Sequence, residues 1–194
     1  MNKFLKVIAI VLCAATLVVA SVAATVAYLT MKTSTVENTF TSGNIEITLV
    51  QESQLNVPKM VPGQKFTVNP RVTVTGESES CYLFIKIKKS DNFDDFFSYE
   101  VVTGETGWTP LDDVSGVYYR EVNYNVADQV FDVIKGDKIT AKVDCTKQQY
   151  TELNGAPFMK FTAYAVQKVG IADAEAAWVE AQKLDNSNTE NNGG

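Results

Sequence analysis

The sequence contains no histidine among its 194 residues. Without histidine the chain has no Ser/His or Cys/His nucleophile pair and no histidine-ligated zinc site. Acidic residues gather near Asp91 and near Asp112, but neither group has the alternating oxygen ligands, central glycine and closing glutamate of a calcium loop. We therefore expect a protein that is not an enzyme and that binds no cofactor and no metal.

Basic side chains are in the minority, with 17 Lys and Arg against 23 Asp and Glu and a formal net charge of −6. Nucleic acids and anionic membranes both attract a basic surface, so this balance argues against either as a partner. An acidic surface suits a secreted protein that must stay dispersed.

The N-terminal segment has the pattern of an export signal. Lys3 and Lys6 precede an uncharged, largely apolar run over 7–22, and small residues follow, among them Ala24 and Ala27. The apolar run could also serve as a retained membrane anchor. The basic start and the small residues favour a signal-peptide helix that is cleaved near Ala24 or Ala27. We predict that the first 27 residues are removed and that the protein is secreted.

Residues 28–41 form a polar segment rich in Thr and Ser. Its apolar residues do not share one alternation, so the segment reads as an extended N-terminal arm rather than a settled strand. An arm freed by secretion could complete the sheet of a neighbouring subunit as a donor strand. The arm residues expected to make that contact are Tyr28, Leu29, Met31, Val36 and Phe40.

Residues 42–184 read as one all-β domain. Short alternating runs are separated by turn residues at fairly regular spacing, which is typical of an antiparallel β-sandwich. The predicted strands are 45–50, 66–74, 81–89, 99–102 with Trp108, 117–122, 129–133, 138–144 and 158–169. We expect Pro70 on an edge strand or at a bulge. We expect a hairpin turn at 135–137 and pairing of 117–122 with the Trp108 segment.

In the C-terminal region, the spacing of the apolar residues changes from that of a strand to that of a helix. Ala177, Trp178 and Ala181 lie on one helical face, and Asp173 is a suitable N-cap residue. We predict a short helix that places Trp178 against the sandwich. Residues 185–194 are rich in Asn and lack apolar residues, so we predict a disordered tail.

Two cysteines remain after signal removal. Cys81 and Cys145 each fall on the apolar alternation of their predicted strands. In an oxidising compartment they could form a disulfide across the core, or they could remain as two buried thiols. The sequence leaves both alternatives open.

Aromatic residues are plentiful in the middle of the chain. If exposed together, they would make a sugar-stacking platform, although packing in the core is the commoner fate. The residues in question are Phe96, Phe97, Tyr99, Trp108, Tyr118, Tyr119 and Tyr124. They motivate a second hypothesis, a monomeric surface adhesin or glycan-binding module. A secreted hydrolase with paired carboxylates is a third, although no stretch singles out a pair.

Three blocks of sequence point to one family. The blocks are Ala27-Tyr28-Leu29-Thr30 with 38–45; Pro70-Arg71-Val72-Thr73-Val74 with 82–87; and 161–167 with Ala176-Ala177-Trp178. Together they resemble the TasA/camelysin (CalY) family of secreted bacterial proteins, whose signal is removed by a dedicated signal peptidase, SipW. The first block is the most specific of the three.

The resemblance implies a jelly-roll sandwich that assembles with copies of itself into extracellular fibres of the biofilm matrix or cell surface. The mature N-terminal segment, here Tyr28 to about Phe40, would be the donor strand. Other matrix proteins or exopolysaccharide would be further partners. Camelysin was named as a metalloprotease, but this chain has no histidine and no HExxH helix, so that activity is not carried over.

Overall fold

The computed structural model describes residues 38–42, 44–51, 61–144 and 157–190. The predicted signal peptide and the first ten residues of the predicted arm lie outside these ranges. The strands are β1 (Asn38–Ser42), β2 (Ile47–Gln51), β3 (Lys65–Thr67), β4 (Pro70–Val74), β5 (Cys81–Lys89), β6 (Phe97–Ser98), β7 (Thr109–Pro110), β8 (Val117–Val122), β9 (Gln129–Asp132), β10 (Lys138–Ala141) and β11 (Met159–Gln167). The helices are α1 (Phe93–Phe96) and α2 (Ala174–Glu190). Neither described helix is long and apolar enough to cross a membrane.

One sheet contains five strands in the order β1-β11-β5-β8-β7. Its centre is the antiparallel ladder of β5 and β11, which runs from Cys81 opposite Gln167 to Lys89 opposite Met159. β8 pairs with β5 on one side and with the short β7 on the other. The predicted strands 81–89 and 158–169 are therefore confirmed, as is the pairing of 117–122 with the segment after Trp108.

The second layer is built on two long, bent segments that run antiparallel. One contains β3 and β4, and the other contains β9 and β10. Arg71 lies opposite Asp132 and Thr67 opposite Lys138, so residues 133–137 face only 68–70. A 3-10 turn at Lys135–Asp137, with Gly136 at φ 66°, lies in this longer stretch. The predicted hairpin is wrong, because β9 and β10 continue in the same direction and do not pair with each other.

Pro70 begins a central strand. β4 lies between β2 and β9, and Pro70 is its first residue, opposite Gln51. The Pro70 carbonyl accepts a hydrogen bond of 3.1 Å from the Val133 amide. The expectation of an edge strand is therefore wrong, whereas the alternative of a bulge agrees with the structure, since Pro70 belongs to the stretch 68–70 that residues 133–137 face. Proline is tolerated here because it stands at the start of the strand.

The two layers share a buried core, which confirms the all-β sandwich. Alternate residues of β2, β4, β5 and β11 enter it, for example Leu49, Val72, Ile85 and Phe161. The described ladders are antiparallel except the one between β1 and β11, which is parallel. The sandwich is therefore not purely antiparallel.

Helix α2 covers the outer face of the five-stranded sheet. The backbone amide of Ala176 donates a 2.8 Å hydrogen bond to the Asp173 carboxylate, which confirms the predicted N-cap. Trp178 is buried, with its ring centroid 5.3 Å from that of Phe84 and 5.2 Å from that of Tyr164. The packing of Trp178 on the sandwich is thus confirmed.

The helix is longer than predicted. α2 continues to Glu190, so the prediction of a disordered tail is wrong over 185–190. This stretch contains no proline or glycine that would end a helix. The last four residues lie outside the described ranges.

Candidate assembly interface

The last residues of the predicted arm form a strand in the five-stranded sheet of the same chain. β1 pairs in parallel with β11, from Asn38 opposite Thr162 to Ser42 opposite Val166. The prediction of an unpaired arm over 28–41 is therefore wrong for 38–41. Threonine and phenylalanine favour strands, and β11 would otherwise leave its backbone groups without a neighbour on that side. Tyr28, Leu29, Met31 and Val36 lie outside the described residues, as do Ala24 and Ala27. Phe40 lies in β1 at the register of Tyr164.

β1 and β2 are the terminal strands of their sheets and contact one another. β1 has β11 as its ladder partner, and β2 has β4. The short connection between β1 and β2 is fixed by backbone bonds: the Thr75 amide donates to Glu46 at 2.9 Å and the Glu79 amide to Asn44 at 3.1 Å. One side of the sandwich thus presents two neighbouring terminal strands, which we call the β1/β2 edge.

Among the described residues, helix α2 contacts β1, but the two strands of the β1/β2 edge lack the charged residues and proline that usually protect the edge of a sheet. Terminal strands are normally blunted by charged residues, by proline or by being very short. The other terminal strands follow this rule, since β3 carries Lys65, β7 carries Pro110, β9 carries Asp132 and β6 has two residues. β1 and β2 have five residues each, with no charge and no proline. In addition, Val50 of β2 is 44% exposed. These two strands could therefore accept a further strand.

The direction of β1 determines where the rest of the arm is attached. β1 begins at Asn38, beside Thr162, and ends beside Val166. Residues 28–37 therefore join the domain at the end of the sheet where β11 begins. Ten extended residues span about 33 Å. This length is enough to run along the full height of a second sandwich, since the nine-residue β5 spans about 30 Å.

Cys81 is a fully buried thiol on β5 and has no disulfide partner among the described residues. Burial raises the pKa of the Cys81 thiol to about 12, so the nucleophilic thiolate is scarce at neutral pH. Cys145 lies outside the described residues, so its pairing with Cys81 stays a prediction. Nothing about Cys81 suggests a reactive site.

The aromatic residues do not form a shared exposed surface. Phe96, Phe97 and Trp108 are buried, whereas Tyr124 is 56% exposed. The Trp108 indole N–H donates a 2.9 Å hydrogen bond to the Asp132 carbonyl inside the domain. Packing, rather than a sugar-stacking platform, is the role of most of these residues.

Sequence reasoning missed the role of Arg120. Its guanidinium lies 3.7 Å from the Phe131 ring centroid and 5.7 Å from that of Trp108. Burial lowers the pKa of Arg120. The side chain packs over both rings in cation–π contacts. An arginine in an alternating strand gives no signal of this kind without knowledge of the strand across the core.

The acidic loops have structural roles. Lys89 Nζ donates to both oxygens of Asp94, at 2.8 and 2.7 Å. Asp113 has φ 59° in the turn before β8. Across the described ranges, no three His, Cys, Asp or Glu side chains come together in a way that could hold a metal ion.

No protein-family model matches the chain, and no curated protein matches it. The interpretation of function therefore depends on the geometry of the β1/β2 edge and on the sequence that precedes it.

Proposed function

We propose that the protein is a secreted structural subunit that assembles with copies of itself into extracellular fibres of the biofilm matrix or bacterial cell surface. Cleavage by a signal peptidase of the SipW type would make Tyr28 the first residue of the mature chain. The observation that carries the proposal is the β1/β2 edge, two adjacent terminal strands without charge or proline. The jelly-roll connectivity expected from the family resemblance belongs to the same proposal.

The donor in this proposal is the segment 28–37, and β1 remains in its own subunit. Residues 28–37 precede Asn38, which lies beside Thr162 near the start of β11, and in this proposal they would extend beyond the sheet to the next subunit. There it would lie against the β1/β2 edge of that subunit. Main-chain hydrogen bonds would provide affinity, and the apolar arm residues would provide specificity.

This contact joins different surfaces of the two subunits. The arm of one copy meets the edge of the next, so the contact does not close on itself and repeats along a filament. The subunit can fold alone because β1 already covers β11, and the arm then adds a strand. No unfolding of the domain is needed for elongation.

A glycan-binding module has less support, because Trp108 is buried and bonded to Asp132. Electron microscopy and size-exclusion chromatography of the purified protein from Tyr28 onward separate the two functions. We expect fibres that lengthen with protein concentration. A protein that stays monomeric at all concentrations and binds polysaccharide would contradict the proposal.

A further inference from the structure

Three loops meet at the end of the five-stranded sheet where β5 begins. They are residues 75–80 before β5, residues 123–128 after β8 and residues 168–173 after β11. Ser80 joins the first loop to the other two. Its side-chain oxygen accepts a 2.9 Å hydrogen bond from the Tyr124 amide, and its carbonyl accepts one of 2.8 Å from the Lys168 amide. We call these three segments the loop cluster.

Further contacts hold the first two loops against one another. The Glu77 amide donates a 2.7 Å hydrogen bond to the Asn125 carbonyl, and the Gly76 amide donates one of 2.7 Å to the Asp128 carboxylate. Position 76 requires glycine, because a Cβ atom there would lie 2.4 Å from the Val126 carbonyl oxygen. Loops that a scaffold holds in this way are common places for binding residues.

The loop cluster exposes three large apolar side chains. Val169 is 78% exposed, Val126 is 73% exposed and Tyr124 is 56% exposed. Val169 and Tyr124 each follow a strand that flanks β5, so their backbones lie about two strand spacings, or about 10 Å, apart. Val126 is two residues further along the loop from Tyr124. Exposed apolar side chains that gather in one place indicate an interaction surface.

The same loops carry an excess of negative charge. The loop cluster contains four acidic residues, Glu77, Glu79, Asp128 and Asp173, and one base, Lys168. Lys168 already pairs with Glu121 at the end of β8. Glu77 and Glu79 are exposed, and neither forms an ion pair within the described part of the chain. The loop cluster therefore combines exposed apolar side chains with uncompensated carboxylates.

We propose that the loop cluster binds a segment of another protein that carries both basic and apolar side chains. Basic side chains complement the charge of these loops, and apolar side chains would cover Tyr124, Val126 and Val169. A cationic polysaccharide fits less well, because sugar rings stack on aromatic faces and Tyr124 is the sole aromatic residue in these three loops. This inference goes beyond the proposed function and does not depend on fibre formation.

The two kinds of side chain contribute differently to this binding. Tyr124 is the expected anchor, since a tyrosine ring buries a large area at a low cost in conformational entropy. The carboxylates select a basic partner and speed its encounter with the loops. Because exposed charges are screened within about 8 Å at physiological salt, the affinity falls as the salt concentration rises.

Isothermal titration calorimetry of the mature protein with three synthetic ten-residue peptides tests the inference. The first peptide alternates Lys and Leu, the second alternates Lys and Ser, and the third alternates Glu and Leu. We expect the Lys/Leu peptide to bind. The Lys/Ser peptide should bind on the order of tenfold more weakly, because it has no apolar side chains to cover the loops. The Glu/Leu peptide should not bind, because its charge is that of the loops.

Substitutions locate the bound peptide. The variant Y124S/V126S/V169S removes the exposed apolar side chains and should weaken binding of the Lys/Leu peptide by at least about tenfold. The matched control V130S/V179S changes two valines that are exposed outside the loop cluster, and it should bind the peptide as the wild type does.

A charge variant tests the role of the carboxylates. E77Q/E79Q keeps the shape of both side chains and removes their charge. Binding of the Lys/Leu peptide should weaken on the order of threefold at low salt and change little at high salt. Circular dichroism melts establish that each variant folds, as expected for substitutions of exposed side chains.

Several results would overturn the inference. It is wrong if the Lys/Leu peptide does not bind, or if the Lys/Ser peptide binds equally well. It is also wrong if Y124S/V126S/V169S binds the Lys/Leu peptide as tightly as the wild type, because the peptide would then lie elsewhere, for example on the β1/β2 edge. Binding of chitosan, a cationic polysaccharide, in place of the Lys/Leu peptide would show that the partner is not a protein. Fibre formation by the wild type is measured separately, so failure of the proposed function is distinguishable from failure of this inference.

Discussion

A mature protein that lacks residues 28–37 is expected to remain folded and to form no fibres. The deletion ends just before Asn38, so β1 keeps its five-residue ladder with β11. The core between the two layers and the buried residues beneath α2 therefore stay covered, and thermal unfolding should match that of the full mature protein. Electron microscopy should show fibres for the full mature protein and none for the shortened one at equal concentration.

The deletion also distinguishes two ways in which strands could be exchanged. If β1 itself were swapped between subunits, the shortened protein would still polymerise, because β1 is intact. Fibres from the shortened protein would thus exclude residues 28–37 as the donor. A matched control replaces residues 28–37 by ten alternating Gly and Ser residues, which keep the length and remove the apolar side chains.

The second large effect concerns the core beneath helix α2. Phe84 is fully buried, with its ring centroid 5.3 Å from that of Trp178 and 6.3 Å from that of Tyr119. Phe84→Ala removes this ring from the contact between sheet and helix. Substitutions of this kind cost about 3–5 kcal/mol because they lose buried surface and leave a cavity. Urea unfolding followed by circular dichroism measures the change.

Tyr124→Ala is the matched control for this loss. Tyr124 is an aromatic residue that is 56% exposed, so its removal should change the free energy of unfolding by less than about 0.5 kcal/mol. If Phe84→Ala were as mild as Tyr124→Ala, α2 would not pack on this sheet in solution. The stability of the subunit would then need another explanation.

Strands in which apolar residues recur at every second position were predictable from the sequence. β5 and β11 each alternate between the two faces, and the burial of Leu83, Ile85 and Phe161 in one core follows that alternation. The change to a helical period and the N-cap at Asp173 likewise marked the start of α2. In these elements the local pattern and the tertiary packing agree, which is why reading the sequence succeeded.

Register between distant segments was not predictable. Lys135-Gly136-Asp137 has the composition of a hairpin turn. In the structure it instead lies inside a long segment that pairs with 65–74, where 133–137 is longer than the facing stretch 68–70. Turn composition alone does not distinguish these two cases, because the partner strand decides between them. Pro70 is a similar case, since its place at the start of a central strand depends on β2 and β9 lying on either side.

Of the two parts of the candidate interface, the sequence predicted the arm but not the surface that would accept it. The sequence predicts the arm as a Thr-rich segment that follows a predicted export signal. The surface that would accept it was not visible, because whether a strand is terminal depends on the order of strands in the folded sheet. Only the sheet order places β1 and β2 at the ends of their sheets and next to one another. Their lack of charge and proline matters only because they are terminal strands, which usually carry such residues.

A synthetic peptide of residues 28–37, added to the protein that lacks them, tests the central claim most directly. Hydrogen–deuterium exchange read by mass spectrometry would locate the bound peptide by the backbone amides that it protects. We predict one peptide bound per subunit, with slower exchange concentrated in β1 and β2. No binding, or protection elsewhere while β1 and β2 exchange as before, would contradict the account.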